Sequence, residues 1–115
     1  MVKNEYTPSR GDFAWFDFDP TLGHEQARRR PALVLSAKGY NKKSSLVVVC
    51  PITKHAKGYP FEVVVNTKEV SGVVLVDQIR AIDWEKRRMS FIGNLGGIEF
   101  EIVQRKAIEL IVGEI

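Results

Sequence analysis

A single cysteine, Cys50, occurs in the 115 residues, so no intrachain disulfide is possible and a reducing compartment, by default the cytoplasm, is expected. Its setting, "LVVVCPIT" (46–53), is that of a buried packing residue and not of a reactive thiol. Histidine is nearly as scarce. His24 and His55 have no second ligand at zinc spacing, so no metal site is expected. No glycine-rich phosphate loop precedes a helix, and no Gly-x-Ser-x-Gly elbow is present. A charged start followed by an apolar core is missing, so no signal peptide is expected. No apolar run approaches the length of a membrane span. Repeats, low-complexity segments and linkers are absent too. If the chain carries chemistry, it must come from Arg, Glu, His, Thr and Asp without a bound metal.

What is present suits one globular domain over residues 1–115. The apolar fraction is 44%, enough for a single core in a chain of this length. Seventeen Lys and Arg against fourteen Asp and Glu leave +3, a mildly basic balance that permits an anionic partner without demanding one.

Periodicity predicts mainly strands. "GDFAWFDFDP" (11–20) alternates aromatic with small or acidic residues between Gly11 and Pro20. "PALVLSA" (31–37) and "LVVVCPIT" (46–53) read as core strands, with Pro51 setting the end of the latter near an edge or bulge. "FEVVVN" (61–66), "VVLVDQI" (73–79) and "MSFIGNL" (89–95) complete five or six strands. Residues 20–30 and 54–60 read as basic loops, and 38–45 as a turn-rich connection. Phe100, Val103, Ala107, Leu110 and Ile111 recur at helical spacing, predicting a helix over 98–112 that ends at Gly113. The fold expected is a small β-barrel, mostly β or α+β, with a C-terminal helix covering an open end and function carried by loops.

"GHEQARRRPALVLS" (23–36) concentrates charge immediately before a core strand. Such an inventory suits RNA cleavage, because RNA supplies its own nucleophile, the 2′-hydroxyl. Arginine holds phosphate through paired, charge-assisted hydrogen bonds. A threonine hydroxyl adds to the oxyanion site, and glutamate or histidine moves protons. Bland readings stand beside this one. Arg28 and Arg29 read first as solvated charges at a loop tip, with Glu25 there to neutralise them. His24 alone reads as a loop polar group, and Thr53 as a strand end. Arg30 differs because it abuts Pro31 and the core strand. Asp77, ending "VVLVD", must face solvent or find a partner. Trp15, Trp84 and Phe61 read as core or interface before they read as base-stacking platforms.

Three ordered segments resemble the MazF/PemK/Kid family of toxin–antitoxin endoribonucleases: "GDFAWFDFDPTLGHEQARRRPALVLS", "VVVCPITKHAKGYPFEVV" and "GVVLVDQIRAIDW". The resemblance runs from about Gly11 to Trp84 and then weakly through the terminal helix. It implies an SH3-like barrel of the CcdB/PemK type that pairs into a homodimer. It implies metal-independent, sequence-specific cleavage of single-stranded RNA, leaving a 2′,3′-cyclic phosphate and a 5′-hydroxyl. It also implies inhibition by a cognate antitoxin with an acidic, disordered segment.

Residue by residue, the resemblance gives Arg30 the scissile phosphate, with Thr53 as the hydroxyl facing it. Glu25 matches a glutamate of MazF-type members; His24 and Asp77 match site residues of Kid-type members. Kid-type members carry an arginine where this chain has Leu75, so the MazF-type pair, Arg30 and Thr53, is favoured, with Asp77 and His24 as supports. Arg28, Arg29, Lys54 and Lys57 would form the electrostatic approach for RNA, and Gln26 and Gln78 would orient substrate or structure the loop. Two rivals are a CcdB-like poison that binds a protein such as DNA gyrase, and a non-catalytic RNA-binding barrel.

Overall fold

The computed structural model describes residues 6–17 and 29–113. Seven strands appear among them, with two helices: β1 Asp12–Asp17, β2 Arg29–Val34, α1 Lys38–Ser44, β3 Leu46–Thr53, β4 Glu62–Asn66, β5 Ser71–Leu75, β6 Arg80–Asp83, β7 Ser90–Asn94 and α2 Gly97–Val112. Every pairing is antiparallel, in the order β4-β5-β3-β2-β1-β7, with β6 also on β3.

β3 organises the sheet. One edge pairs with β2; the other pairs first with β6 over residues 46–49 and then with β5 at Ile52 and Thr53. Pro51, which has no N–H to give, sits where the partner changes. The sheet therefore curls into a half-barrel, as the patterning predicts.

Alternation along the strands feeds two cores, one on each face. Phe13, Leu33, Cys50, Val74 and Val76 point to one side, where α2 contributes Phe100, Val103 and Ala107. Ala14, Phe16, Ala32, Val34, Val47 and Ile82 point to the other, closed by Met89 and the partly buried Trp84 and Tyr6. Among buried polar groups, Asp12 accepts from Tyr6 Oη at 2.8 Å, and burial first, then this contact, drives the Tyr6 phenol pKa upward. Gly11 (φ 92°) lets its backbone bridge two strands, its N–H donating to Val34 O at 2.8 Å and its carbonyl accepting from Leu95 N at 2.7 Å.

Several boundaries differ from the sequence reading. Residues 38–44 are helical where a turn is expected. The turn-forming residues there are overridden by tertiary bonds: buried Asn41 donates from Nδ2 to Pro8 O at 2.8 Å and accepts from Ser36 Oγ at 2.6 Å, and its carbonyl accepts from Trp84 Nε1 at 2.9 Å. The strand expected over 73–79 ends at Leu75, and Val76–Gln78 form a 3₁₀ turn. There the Val76 N–H reaches Phe61 O at 3.0 Å and Ile79 N–H closes back on Val76 O at 3.2 Å. β6 has no counterpart in the sequence reading, because only Ile82 of its four residues is buried and the strand is too short to show a period. β2 begins at Arg29, so Arg29 and Arg30 are strand residues and not a loop tip. Ile111, expected on the buried stripe of α2, is 72% exposed.

Candidate functional site

The site lies where β2 starts and β3 ends. The β2–β3 register pairs Leu33 with Cys50 and, at its last rung, Ala32 with Pro51; Arg30 on β2 and Thr53 on β3 each lie two residues beyond that rung. Both residues line a hollow of about 320 Å³, together with Arg29, Lys54, His55 and Trp15. Beyond Trp15, a further hollow of about 320 Å³ runs past Lys68 to Val70 and Ile92. On the other side of Thr53, one of about 220 Å³ is bordered by His55, Lys57, Asp77 and Gln78. Shared lining residues join the three into a trough along the sheet end.

Local bonding fixes the trough's walls. The His55 N–H donates to Thr53 Oγ1 at 3.2 Å. A hydroxyl that accepts from the backbone keeps its own proton to give elsewhere. Gly72 on β5 lies so close to Thr53 that a β-carbon there would stand 2.7 Å from the Thr53 carbonyl oxygen. In the loop after β3, the amides of Lys57 and Gly58 donate to the Glu62 carboxylate at 2.9–3.2 Å. From α2, Lys106 Nζ reaches Pro60 O at 2.9 Å and stands 6.0 Å from the centre of the Phe61 ring.

Arg29 belongs to a brace. Its Nη1 donates to Asp17 Oδ1 at 2.9 Å, and its Nη2 to Arg88 O at 2.8 Å and Ser90 Oγ at 2.9 Å. Arg88 adds a second clamp from Nε to Asp17 Oδ2 at 2.6 Å. The Arg88 hydrogen bond, and then that of Arg29, hold the Asp17 carboxyl below the usual carboxylate range. The reading of Arg29 as a solvated loop-tip charge is therefore corrected: its guanidinium is committed to three acceptors.

Of the residues singled out from sequence, Arg30, Thr53 and Lys54 meet in one hollow, and Thr53, Lys57, Asp77 and Gln78 in the next. His24, Glu25, Gln26 and Arg28 lie outside the described residues. Trp15 is 41% exposed on the trough wall, while its strand neighbours Ala14 and Phe16 are fully buried. His55, which sequence reasoning set aside for lack of zinc spacing, borders two hollows. Its position directly after the strand end that carries Thr53 was the available signal. Cys50 is buried as expected, and burial, with a lesser push from the Asp77 carboxylate, raises its thiol pKa to about 12. Among the described residues, no three His, Cys, Asp or Glu side chains group closely enough to hold a metal ion, and no helix is long and apolar enough to cross a membrane.

A curled antiparallel half-barrel with a terminal helix and a cationic trough at its strand ends defines a small class of proteins. Residues 9–111 match the family model of the PemK-like, MazF-like toxin of type II toxin–antitoxin systems, and the chain belongs to that family. It is 43% identical to the endoribonuclease toxin MazF of Escherichia coli K12 over 110 residues, covering 96% of this chain and 98% of that one. It is 41% identical to the endoribonuclease toxin ChpB of the same organism over 99 residues, covering 81% and 83%. The crystal structure of MazF from Deinococcus radiodurans superposes with a TM-score of 0.83 at 44% identity, covering 93% and 98% of the two chains. A MazE–MazF crystal structure from the same organism also gives 0.83, at 38% identity over 96% of this chain and all of that one.

Proposed function

We propose that the chain is the toxin of a toxin–antitoxin pair, a sequence-specific endoribonuclease whose 115 residues act as one domain in the cytoplasm. The observation that carries this reading is that Arg30 and Thr53 line one hollow with Lys54 and His55, in a chain 43% identical to a named endoribonuclease. The substrate is single-stranded RNA, whose phosphates suit the trough's lysines and arginines and whose bases suit the exposed Trp15.

In the proposed reaction the 2′-oxygen bonds to phosphorus as the bond from phosphorus to the 5′-oxygen breaks. The products are a 2′,3′-cyclic phosphate and a 5′-hydroxyl. Arg30 spans two phosphate oxygens with its planar fork. Thr53, its oxygen already bonded by the His55 amide, donates a hydrogen bond through its own O–H to the developing oxyanion. A site carboxylate, Glu25 or Asp77, takes the 2′-hydroxyl proton, and His24 supports it. Lys54 and Lys57 draw in the RNA, Arg28 contributes at longer range, and Gln26 and Gln78 orient it. Arg29 acts mainly by holding the strand that carries Arg30.

Two copies of the chain form a homodimer, and an antitoxin with an acidic, disordered segment competes for the trough. Complexes of MazF with MazE support a dedicated protein partner. A gyrase-binding poison is not favoured, since the relatives are named endoribonucleases and such a protein has no use for an Arg30–Thr53 pair.

The test is incubation of the purified protein with a long RNA in excess EDTA, followed by mapping of both new ends. Cuts at a recurrent short motif, with cyclic phosphate and 5′-hydroxyl ends, are expected. Intact RNA, bound or unbound, sinks the reading.

A further inference from the structure

Cleavage by 2′-hydroxyl attack requires two proton movements, and the departing 5′-oxygen leaves readily only if it is protonated as its bond breaks. We propose that His55 is the catalytic residue that supplies this proton, an inference that rests on the endoribonuclease reading above.

Position is the first argument. His55 lies two residues past Thr53 and is tied to it by the 3.2 Å bond from its own backbone N–H to Thr53 Oγ1. The side chain is exposed and borders both the hollow shared by Arg30 and Thr53 and the hollow shared by Thr53 and Asp77. A phosphate held between Arg30 and Thr53 thus has an imidazole at its margin, on the side where the trough continues.

Chemistry is the second. Among the described residues, the other proton-bearing side chains at this margin are poorly matched to the task. Lys54 and Lys57 carry ammonium groups and Tyr59 a phenol, functional groups that as a class are poor proton donors near neutral pH. Arg30 never releases a proton, and Arg29 is spent on Asp17. Of the carboxylates, Glu62 is occupied by the amides of Lys57 and Gly58, and Asp77, as a carboxylate, can only accept. Imidazole is the side chain that exchanges a proton most readily between pH 5 and 8.

The step balances. The 2′-hydroxyl proton passes to the site carboxylate, the 2′-oxygen bonds to phosphorus, and the bond from phosphorus to the 5′-oxygen breaks. The His55 imidazolium gives its proton to that oxygen, which leaves as a hydroxyl, while the single negative charge stays on the cyclic phosphate. A proton returned from the carboxylic acid to the imidazole through water restores the site.

The experiment compares wild type with His55→Ala and His55→Gln, in single turnover, on two versions of one cleavable RNA. One version is ordinary; the other carries sulfur in place of the departing 5′-oxygen, a group that leaves without protonation. On ordinary RNA both variants should be slower by about 100- to 10,000-fold. On the sulfur-bearing RNA they should approach the wild-type rate. Equal slowing on both substrates would mean that His55 serves binding or loop shape, and it would overturn the assignment; so would an unchanged rate on ordinary RNA. Wild type that leaves ordinary RNA intact overturns the endoribonuclease reading itself, whereas wild type that cuts beside variants that cut equally overturns only His55.

Discussion

Arg29 and Asp17 face each other on the last rung of the β1–β2 ladder, joined by a 2.9 Å bond from Nη1 to Oδ1. They are the residues on either side of segment 18–28, so the ion pair closes the neck from which that segment departs. The next rung inward pairs Phe16 with Arg30. With Asp17 16% and Arg29 27% exposed, the pair is sheltered enough to matter, unlike an ordinary surface bridge. Arg29→Met, which keeps the stem and removes the donors, should cost about 1–2 kcal/mol in urea unfolding, as expected for charged hydrogen bonds at a half-buried site. It should also slow cleavage by loosening Arg30. A variant of wild-type stability would show that the brace contributes nothing.

Acid should reveal the same brace. The folded-state pKa of Asp17 is lowered, so its contribution is fully present above the unfolded carboxylate range, about pH 4, and is lost as pH falls through the folded value. The stability difference between wild type and Asp17→Asn should be constant from neutral pH to about pH 5 and shrink below that. Urea melts of both proteins at a series of pH values measure it. A gap that persists unchanged at pH 2 would contradict the linkage.

At the site itself, geometry should outweigh charge. Arg30→Lys keeps the cation and loses the paired donors, so Arg30→Lys and Arg30→Ala should both lose about 100- to 1000-fold in single-turnover rate. Thr53→Val, which deletes one hydroxyl and keeps the shape, should fall between these and wild type. Near-normal cleavage by folded Arg30→Lys would mean that another arginine holds the phosphate.

Gly72 offers a test from the opposite strand. A methyl there meets the Thr53 carbonyl at 2.7 Å, a backbone atom that cannot swing aside. Gly72→Ala should therefore shift the end of β3, destabilise the fold by about 1–3 kcal/mol as other overpacked sites do, and lower cleavage although Gly72 lines none of the three hollows. Normal activity and an unchanged melting temperature would refute the close approach.

The thiol gives a readout independent of function. Cys50 is fully buried and its pKa is pushed up to about 12, so thiolate is scarce at neutral pH. Native protein should resist a thiol-specific reagent at pH 7.5 and react stoichiometrically once unfolded in guanidinium. Rapid modification of the native protein would place the sulfur at the surface.

Elements with a clear period were legible in the sequence. β3 has the predicted bounds, and α2 begins one residue before its predicted start, because long apolar or 3.6-spaced runs carry their own signal. α1 and β6 were not legible. One is held by Asn41 reaching Pro8, Ser36 and Trp84, and the other by pairing with residues 46–49, and neither partnership leaves a mark on the local pattern. The Arg30–Thr53 juxtaposition came from resemblance, since the residues lie on separate strands. The bracing role of Arg29 is not legible, because a run of three arginines gives no hint which one meets an aspartate on a neighbouring strand. His55 is not legible either, because a lone histidine in a loop signals no partner until the fold sets it beside the hollows.

The double burial of the sheet sets what can vary. β1, β2 and β3 each feed a core from both faces, so, Trp15 on the trough wall apart, a substitution along their middle disturbs packing whichever way it points. The trough instead takes its character from the rims, where β2 begins and where residues 54–60 leave β3. Reprogramming which RNA motif is cut therefore belongs to exchange of those rim segments between relatives. The barrel would serve as an inert chassis, and a graft confined to 54–60 could alter target choice while leaving the melting temperature where it was.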